Sequence, residues 1–321
     1  MSARLAFFGF LAGMLVVGWG GACVMLRAAT VGENVMPLEA QSFAPLEVIT
    51  VGTGSAYENP ERLGPATGIG SGEQLVLVDA GRGVAEALRY AGIPVWQPTT
   101  VFITNLLPIN TAGLDDLLLS GWLVGRSEPL RLVGPPGTQE FATALQAAHR
   151  RGAAGLGEAL ALPSEGVRIE AFDVSGGYSE TLGDLHISAG ELSGGPLSAL
   201  AWRFEVGEDS VVVSGTGWGP DDLVRFASGA DILVHEAVYV PPPEDIESAG
   251  IVADPERLRR EAALHTSILD VGDLARRAGV HTLVVTRMRP PPFFDIQVEM
   301  IIDDAFSGRL EVAADGDRFT P

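Results

Sequence analysis

The stretch VFITNLLPINTAGLDDLLLSGW, Val101 to Trp122, constrains the fold of this chain more than any other. Val101 to Thr104 is rich in β-branched and aromatic residues, as a buried strand is. The run breaks at a turn carrying Pro108. From Ala112 to Trp122 it becomes an apolar, helix-like run. A strand that ends in a short loop and feeds a helix needs a layered architecture in which both elements bury their apolar faces.

The same alternation recurs along the chain. Leu46 to Val51 alternates as a strand does, and Gly52 to Ile69 is rich in turn formers. Gln74 to Asp79 reads as a buried strand, followed by a helix from Val84 to Ala91. Leu130 to Val133 is a strand and Thr138 to Arg151 an amphipathic helix, and Gly152 to Gly166 reads as a surface loop. Strands follow at Val167 to Val174 and Leu185 to Ala189. Leu200 to Glu205 and Ser210 to Ser214 form a hairpin turned at Gly207, Glu208 and Asp209. Pro220 to Ala227, Pro255 to Leu264 and Leu269 to Ala278 read as helices. Ile232 to Glu236 and Thr282 to Thr286 read as buried strands. A helix from Gln297 to Phe306 and a strand from Leu310 to Ala313 close the chain. This mixture of strands and helices predicts an α/β (α+β) fold, two packed sheets with helices outside.

Composition excludes some classes. The net charge is −20, and all 21 basic residues are Arg. Such a chain repels phosphate backbones, so no nucleic-acid partner is expected. The single cysteine, Cys23, rules out disulfides and cysteine-based zinc sites within the chain. Leu5 to Leu26 is one apolar run bounded by Arg4 and Arg27, long enough to span a membrane. It reads as an uncleaved anchor, a cleaved signal peptide with small residues at Gly20 and Ala22, or a lipoprotein signal at Cys23. The expected organisation is a membrane anchor or signal segment at 1–27, a tether at 28–45 and a domain at 46–321. That domain is expected outside the cytoplasm, inner-membrane-anchored or exported to the periplasm.

Four segments carry a resemblance to a known family. They are Gly52–Ile69, Val101–Trp122, SGTGWGPDDLVRFASGADILVHEA (Ser214–Ala237) and HTSILDVGDLARRAGVHTLVVTRMRPPP (His265–Pro292). In order and spacing they resemble the metallo-β-lactamase superfamily, its ribonuclease Z and arylsulfatase-like branch. The resemblance implies an αββα sandwich with two metals, usually zinc, at one edge between the sheets. It also implies where the ligands would fall. The H-x-H-x-D-H loop aligns with Asn105, Leu107, Ile109 and Asn110, and a further His falls near Gly194. The bridging Asp falls on Thr216, and the last His on Arg287. None of these is a good zinc ligand: Leu107 and Ile109 have no donor atom, and Arg287 brings a fixed positive charge. The expectation is therefore no metal cofactor, although zinc is the family's.

Other residues have roles in that frame. Asp79, which supports the metal shell in the family, is expected to pair with Arg287, since a buried Arg needs a partner. Arg287 and Arg289 could instead line an anion site. His265, in HTS, is the candidate general acid or anion contact, against a plain hydrogen-bonded histidine. His235 reads as a core histidine and Glu236 as the partner of a nearby cation. The candidate ligand-binding set is Asp79, Asn105, Asn110, Thr216, His265 and Arg287. Together these imply a pseudoenzyme that binds a small anion, a protein partner or another copy of itself. The alternative is a hydrolase of phosphate, sulfate or carboxylic esters using a relocated metal or none.

Overall fold

Val211, Val212 and Val213 are consecutive and all buried, which a strand achieves only when both faces of its sheet are covered. Val211 and Val213 belong to the core between two sheets, whereas Val212 packs into an outer helical layer. The computed structural model describes residues 36–56, 59–241, 247–248, 254–289, 295–302 and 305–321. Two units divide the chain, Met1–Glu39 and Ala40–Pro321, and the second holds all the elements below. The apolar run Leu5 to Leu26 lies outside the described residues. Among the described residues, no helix is long and apolar enough to cross a membrane.

The first sheet comprises β1 (Phe43–Gly52), β2 (Ala66–Gly72), β3 (Gln74–Val78), β4 (Thr100–Phe102), β5 (Leu130–Gly134), β6 (Ile169–Asp173) and β14 (Arg318–Phe319), in the order β14-β1-β2-β3-β4-β5-β6. The second comprises β7 (Ser179–Leu182), β8 (Leu185–Leu192), β9 (Ala199–Val206), β10 (Asp209–Ser214), β11 (Ile232–Val238), β12 (Thr282–Arg289) and β13 (Arg309–Val312), in the order β13-β12-β11-β10-β9-β8-β7. Each is mixed. Strands β1 to β3 are antiparallel and β3 to β6 parallel, while β7 to β10 are antiparallel and β10 to β13 parallel.

Helices α1 (Val84–Tyr90), α2 (Pro108–Thr111), α3 (Leu114–Leu123) and α4 (Thr138–Leu160) come from the first half. Leu88, Leu114, Leu117 and Ala142 from this group pack on Leu75, Leu77, Val101 and Leu132 of the first sheet. Helices α5 (Pro220–Phe226), α6 (Pro255–Ala262), α7 (Val271–Ala278) and α8 (Asp295–Ile302) come from the second half. Leu223, Leu274, Val298 and Ile302 pack on Val212, Leu233 and Leu283 of the second sheet. The result is the expected αββα sandwich. Phe102 and Trp202 meet across its centre, with ring centroids 4.7 Å apart. The Trp202 indole N–H donates to the Ile103 carbonyl at 3.1 Å, so an aromatic contact and a hydrogen bond tie the sheets together.

Several boundaries differ from expectation. The tether was expected to reach Pro45, yet β1 begins at Phe43. Phe43 lies on Gly70 of β2, where a Cβ would sit 2.4 Å from its ring, so the strand extends to place that aromatic. Gly152 to Gly166 was expected to be a loop, but α4 runs on to Leu160. Its glycines weaken the helical signal, while Gly157 lets the helix lie against Trp122, 3.2 Å from where a Cβ would be. The helix-like run after Pro108 is two helices. They break at Gly113, where a Cβ would be 2.1 Å from the Gly81 carbonyl oxygen. Strands β7 and β14 were not anticipated; at 4 and 2 residues they are too short to show a period.

Trp202→Ala removes the largest side chain between the sheets. Denaturant unfolding is expected to show a loss of about 3–5 kcal/mol.

Candidate functional site

At the ends of β3, β4 and β12 the two sheets bring a buried charge pair together. Asp79 follows β3 and Arg287 lies near the end of β12. Both have left-handed backbones, at φ 63° and φ 55°, an uncommon state for residues with a Cβ. For Arg287 the cause is a bulge. Glu236 pairs with Thr286 and Val238 with Arg289, so β12 spends one more residue than β11 over this interval. The Arg287 N–H, freed from the ladder, donates to the Thr53 carbonyl at 2.8 Å, beyond β1.

The guanidinium then reaches between the sheets. One nitrogen donates to Asp79 Oδ2 at 2.6 Å and the other to Asn110 Oδ1 at 2.6 Å. Asp79 Oδ1 accepts from the Thr104 backbone N–H at 2.9 Å, and the Thr104 hydroxyl lies 2.8 Å from Oδ2. Asn110 Nδ2 donates to Asn105 Oδ1 at 2.8 Å, and that oxygen also accepts from the Leu107 N–H at 3.1 Å. Asp79, Asn105 and Asn110 are fully buried, and Arg287 nearly so. Burial pushes the Asp79 carboxyl above its usual range; Arg287 and Thr104 pull it back only in part. Gly215 packs against this pair so closely that a Cβ would lie 2.0 Å from the Thr104 hydroxyl.

A second network lies alongside. The Glu236 carboxylate accepts from His265 Nδ1 at 3.1 Å and from the Thr266 N–H at 3.2 Å. Burial pushes Glu236 up, but the His265 bond and the charges of His265, His235 and Arg287 outweigh it and hold the carboxyl below its usual range. His235 contacts the Thr266 hydroxyl through Nε2 at 2.8 Å. Its Nδ1 is buried without a hydrogen bond, so it is less satisfied than a plain core histidine. Burial lowers its pKa to about 4, with Arg287 adding to the effect and Glu236 opposing it.

Asp79, Asn105, Asn110 and Arg287 thus form one network, and His265 belongs to the other. Thr216 is buried between them, its Oγ1 accepting from the Trp218 N–H at 3.4 Å, with no hydrogen bond to either set. Arg289 pairs with Glu261. A crevice of only about 30 Å³ touches both Arg287 and His265. Thr104 and the Thr53 carbonyl were absent from the expected set. Thr104 directly precedes Asn105, but nothing in its type marks it as the residue that holds a carboxylate. Among the described residues, no three or more His, Cys, Asp or Glu side chains are grouped to hold a metal ion.

An αββα sandwich with its polar network at the strand ends between the sheets defines the metallo-β-lactamase fold. Solved structures agree. YhfI from Bacillus subtilis, a metallo-β-lactamase-fold protein, superposes with a TM-score of 0.67 at 18% identity, covering 86% of this chain and 99% of that one. The short form of human tRNase Z gives 0.63 at 18%, with the same coverage. At the sequence level, ribonuclease Z of Mycobacterium bovis is 30% identical over 279 residues, 84% of this chain and 96% of the relative. A ribonuclease Z from Mycobacterium sp. (strain KMS) is 31% identical over 252 residues, 77% of this chain and 85% of the relative. No protein-family model matches the sequence. The chain belongs to the ribonuclease Z family of the metallo-β-lactamase fold.

Two measurements probe these networks. Arg287→Met leaves a buried carboxylate without its cation, and chemical denaturation is expected to register a loss of about 3–5 kcal/mol. Adding Asp79→Asn is expected to restore most of it, because the stranded charge is then gone. His235 gives a pH dependence. Its folded pKa lies below the unfolded one, so its stability contribution is present above about pH 6.5 and is lost as pH falls towards 4. The decline it contributes is about 3 kcal/mol, and His235→Gln is expected to flatten the acid limb of stability against pH by that amount.

Proposed function

We propose that this chain has exchanged the metal-dependent hydrolysis of its fold for binding. One observation carries the reading: the Arg287 guanidinium is bonded at 2.6 Å to both Asp79 and Asn110. By the motif resemblance, Arg287 and Asn110 fall where the family's metal ligands would. A guanidinium is a permanent cation, and here it is bonded to both side chains at that place. The rest of the aligned set fits zinc no better. Leu107 and Ile109 lack donors, Asn105 and Asn110 offer neutral amide oxygens, and Thr216 offers a hydroxyl where zinc sites use His, Cys or carboxylate. The nearby crevice of about 30 Å³ has room for about one water.

Binding, then, is the proposed activity, directed to a small anion, a protein partner or a second copy of this chain. The relatives' name speaks of ribonuclease. The net charge of −20 argues against a nucleic-acid substrate here. The apolar run Leu5 to Leu26 favours a protein held at the membrane or exported. Metal analysis of the full-length chain, purified without a histidine tag, is expected to find well under one equivalent of zinc, iron or manganese. A stoichiometric metal that survives a chelator overturns the proposal.

One observation favours a hydrolase instead. His265 is 30% exposed at the crevice, while its Nδ1 is held by the buried Glu236 carboxylate. This carboxylate–imidazole pair leaves Nε2 to move a proton. On that reading, nitrophenyl phosphate, sulfate and acetate esters include a substrate, and His265→Ala lowers its kcat by about 100-fold or more. On the binding reading, none of the three is turned over above the protein-free rate.

A further inference from the structure

A pocket of about 420 Å³ lies beside the Arg287 network, lined by Leu107 and Ile109 among others. A larger groove, of about 770 Å³, lies away from that network in the helical layer outside the first sheet, between α3 and α4. Leu118, Trp122, Ala147, Ala153, Ala154 and Gly157 supply much of its surface. Of the 23 residues of α4, those buried are Thr138 and Ala142. Past Ala142 the helix offers alanine and glycine where it faces Leu118 and Trp122, and this leaves the space. We propose that this groove is a binding site for a neutral aromatic molecule. Its size falls in the range of small-molecule sites, about 300–1,000 Å³. Its floor is pre-formed. Leu118 and Trp122 are buried, and the Trp122 indole N–H donates to the Pro163 carbonyl at 2.7 Å. Gly157 and Gly166 lie against the same ring, 3.2 Å and 2.8 Å from where a Cβ would be.

The polar groups of the wall select against charge because they are already engaged. The Gln146 side-chain oxygen accepts from the Ile169 N–H at 3.0 Å, and the Thr143 hydroxyl donates to the Gln139 carbonyl at 2.8 Å. His149 faces Asp115 at 3.4 Å, and Arg168 pairs with Glu165. The other charged lining residues, Arg150 and Glu158, are exposed, opposite in sign and about two helical turns apart. They offset each other and stay in water. An ion entering the groove would lose hydration without gaining a partner of its own. A neutral aromatic body loses little water there and meets hydrocarbon and the indole of Trp122.

Photolabelling of the full-length chain in detergent tests the idea with three probes at matched free concentrations: benzophenone, anionic 4-benzoylbenzoate and cationic 4-benzoylbenzyltrimethylammonium. Peptide mapping by mass spectrometry is expected to find benzophenone on α3 and α4, at sites around Leu118–Trp122 and Ala147–Gly157. That labelling is expected to saturate and to be displaced by naphthalene. Both charged probes are expected to bind there about tenfold more weakly. Ala153 is half-buried and Ala154 exposed on the groove wall, so larger side chains there fill the groove without entering the core. Ala154→Phe and Ala153→Leu are expected to keep or raise the ligand-free Tm and to abolish the saturable labelling. Labelling that does not saturate, saturable labelling that maps elsewhere, a charged probe that binds as well as benzophenone, or undiminished labelling in the folded variants overturns the inference. The map and the charge order are read on the parent chain, so they decide the matter even where a variant is unstable.

Discussion

The contact between Arg287 and Asp79 organises the end of this sandwich. A cation and an anion withdrawn from water cost several kcal/mol each before they meet. Here the cost is offset because nearly every donor and acceptor is used. Arg287 gives one nitrogen to Asp79 and the other to Asn110. Asp79 fills its remaining capacity from Thr104, and Asn110 passes a hydrogen bond on to Asn105. The chain reaches this arrangement only by holding two residues with a Cβ in left-handed backbone. Such conformations persist where surrounding structure over-determines them, and here a bulge in β12 and the hydrogen bonds that the Arg287 and Asp79 backbone N–H groups donate to the Thr53 and Phe102 carbonyls do so.

That contact also separates two kinds of chemistry. A metal site needs donors facing an open position, and this end of the sandwich has donors facing one another around a fixed cation. The neighbouring Glu236–His265 pair keeps a titratable group at the surface of the crevice. Next to it, Leu107 and Ile109 give the cleft an apolar wall. Polar and apolar halves meet at Ser55, Ala56 and Ile109, which line both spaces.

Much of the fold was legible before any coordinates. Val101 to Thr104 and Ile232 to Glu236 read as buried strands because β-branched runs covered on both faces need no alternation. The four motif segments carried the αββα expectation. Elements that sequence handled poorly are those held by distant contacts. Helix α4 runs on through Gly152, Gly155 and Gly157, whose low propensity hides a stretch that Ala153, Ala154, Leu156 and Glu158 favour and that meets Trp122 at Gly157. Strand β14 has two residues and exists because Val48 and Ile49 pair with it. The site was legible by type and opaque by geometry. Asp79, Asn105, Asn110 and Arg287 form a connected set, but Thr216 and His265 fall outside it, and Thr104 carries no signal of its own.

The sequence by itself determined which residues could not bind zinc, since hydrocarbon at Leu107 and Ile109 and a fixed charge at Arg287 are properties of residue type. It determined the charge of −20 and the apolar run near the N-terminus in the same way. Only the tertiary structure decided where the Arg287 charge goes. Arg287 and Asp79 are 208 residues apart, and neither local propensity nor periodicity reaches across that distance. Their meeting depends on a one-residue bulge in β12 and on the packing of two sheets. The pocket beside them is likewise a property of assembly, because its walls come from separate stretches of chain.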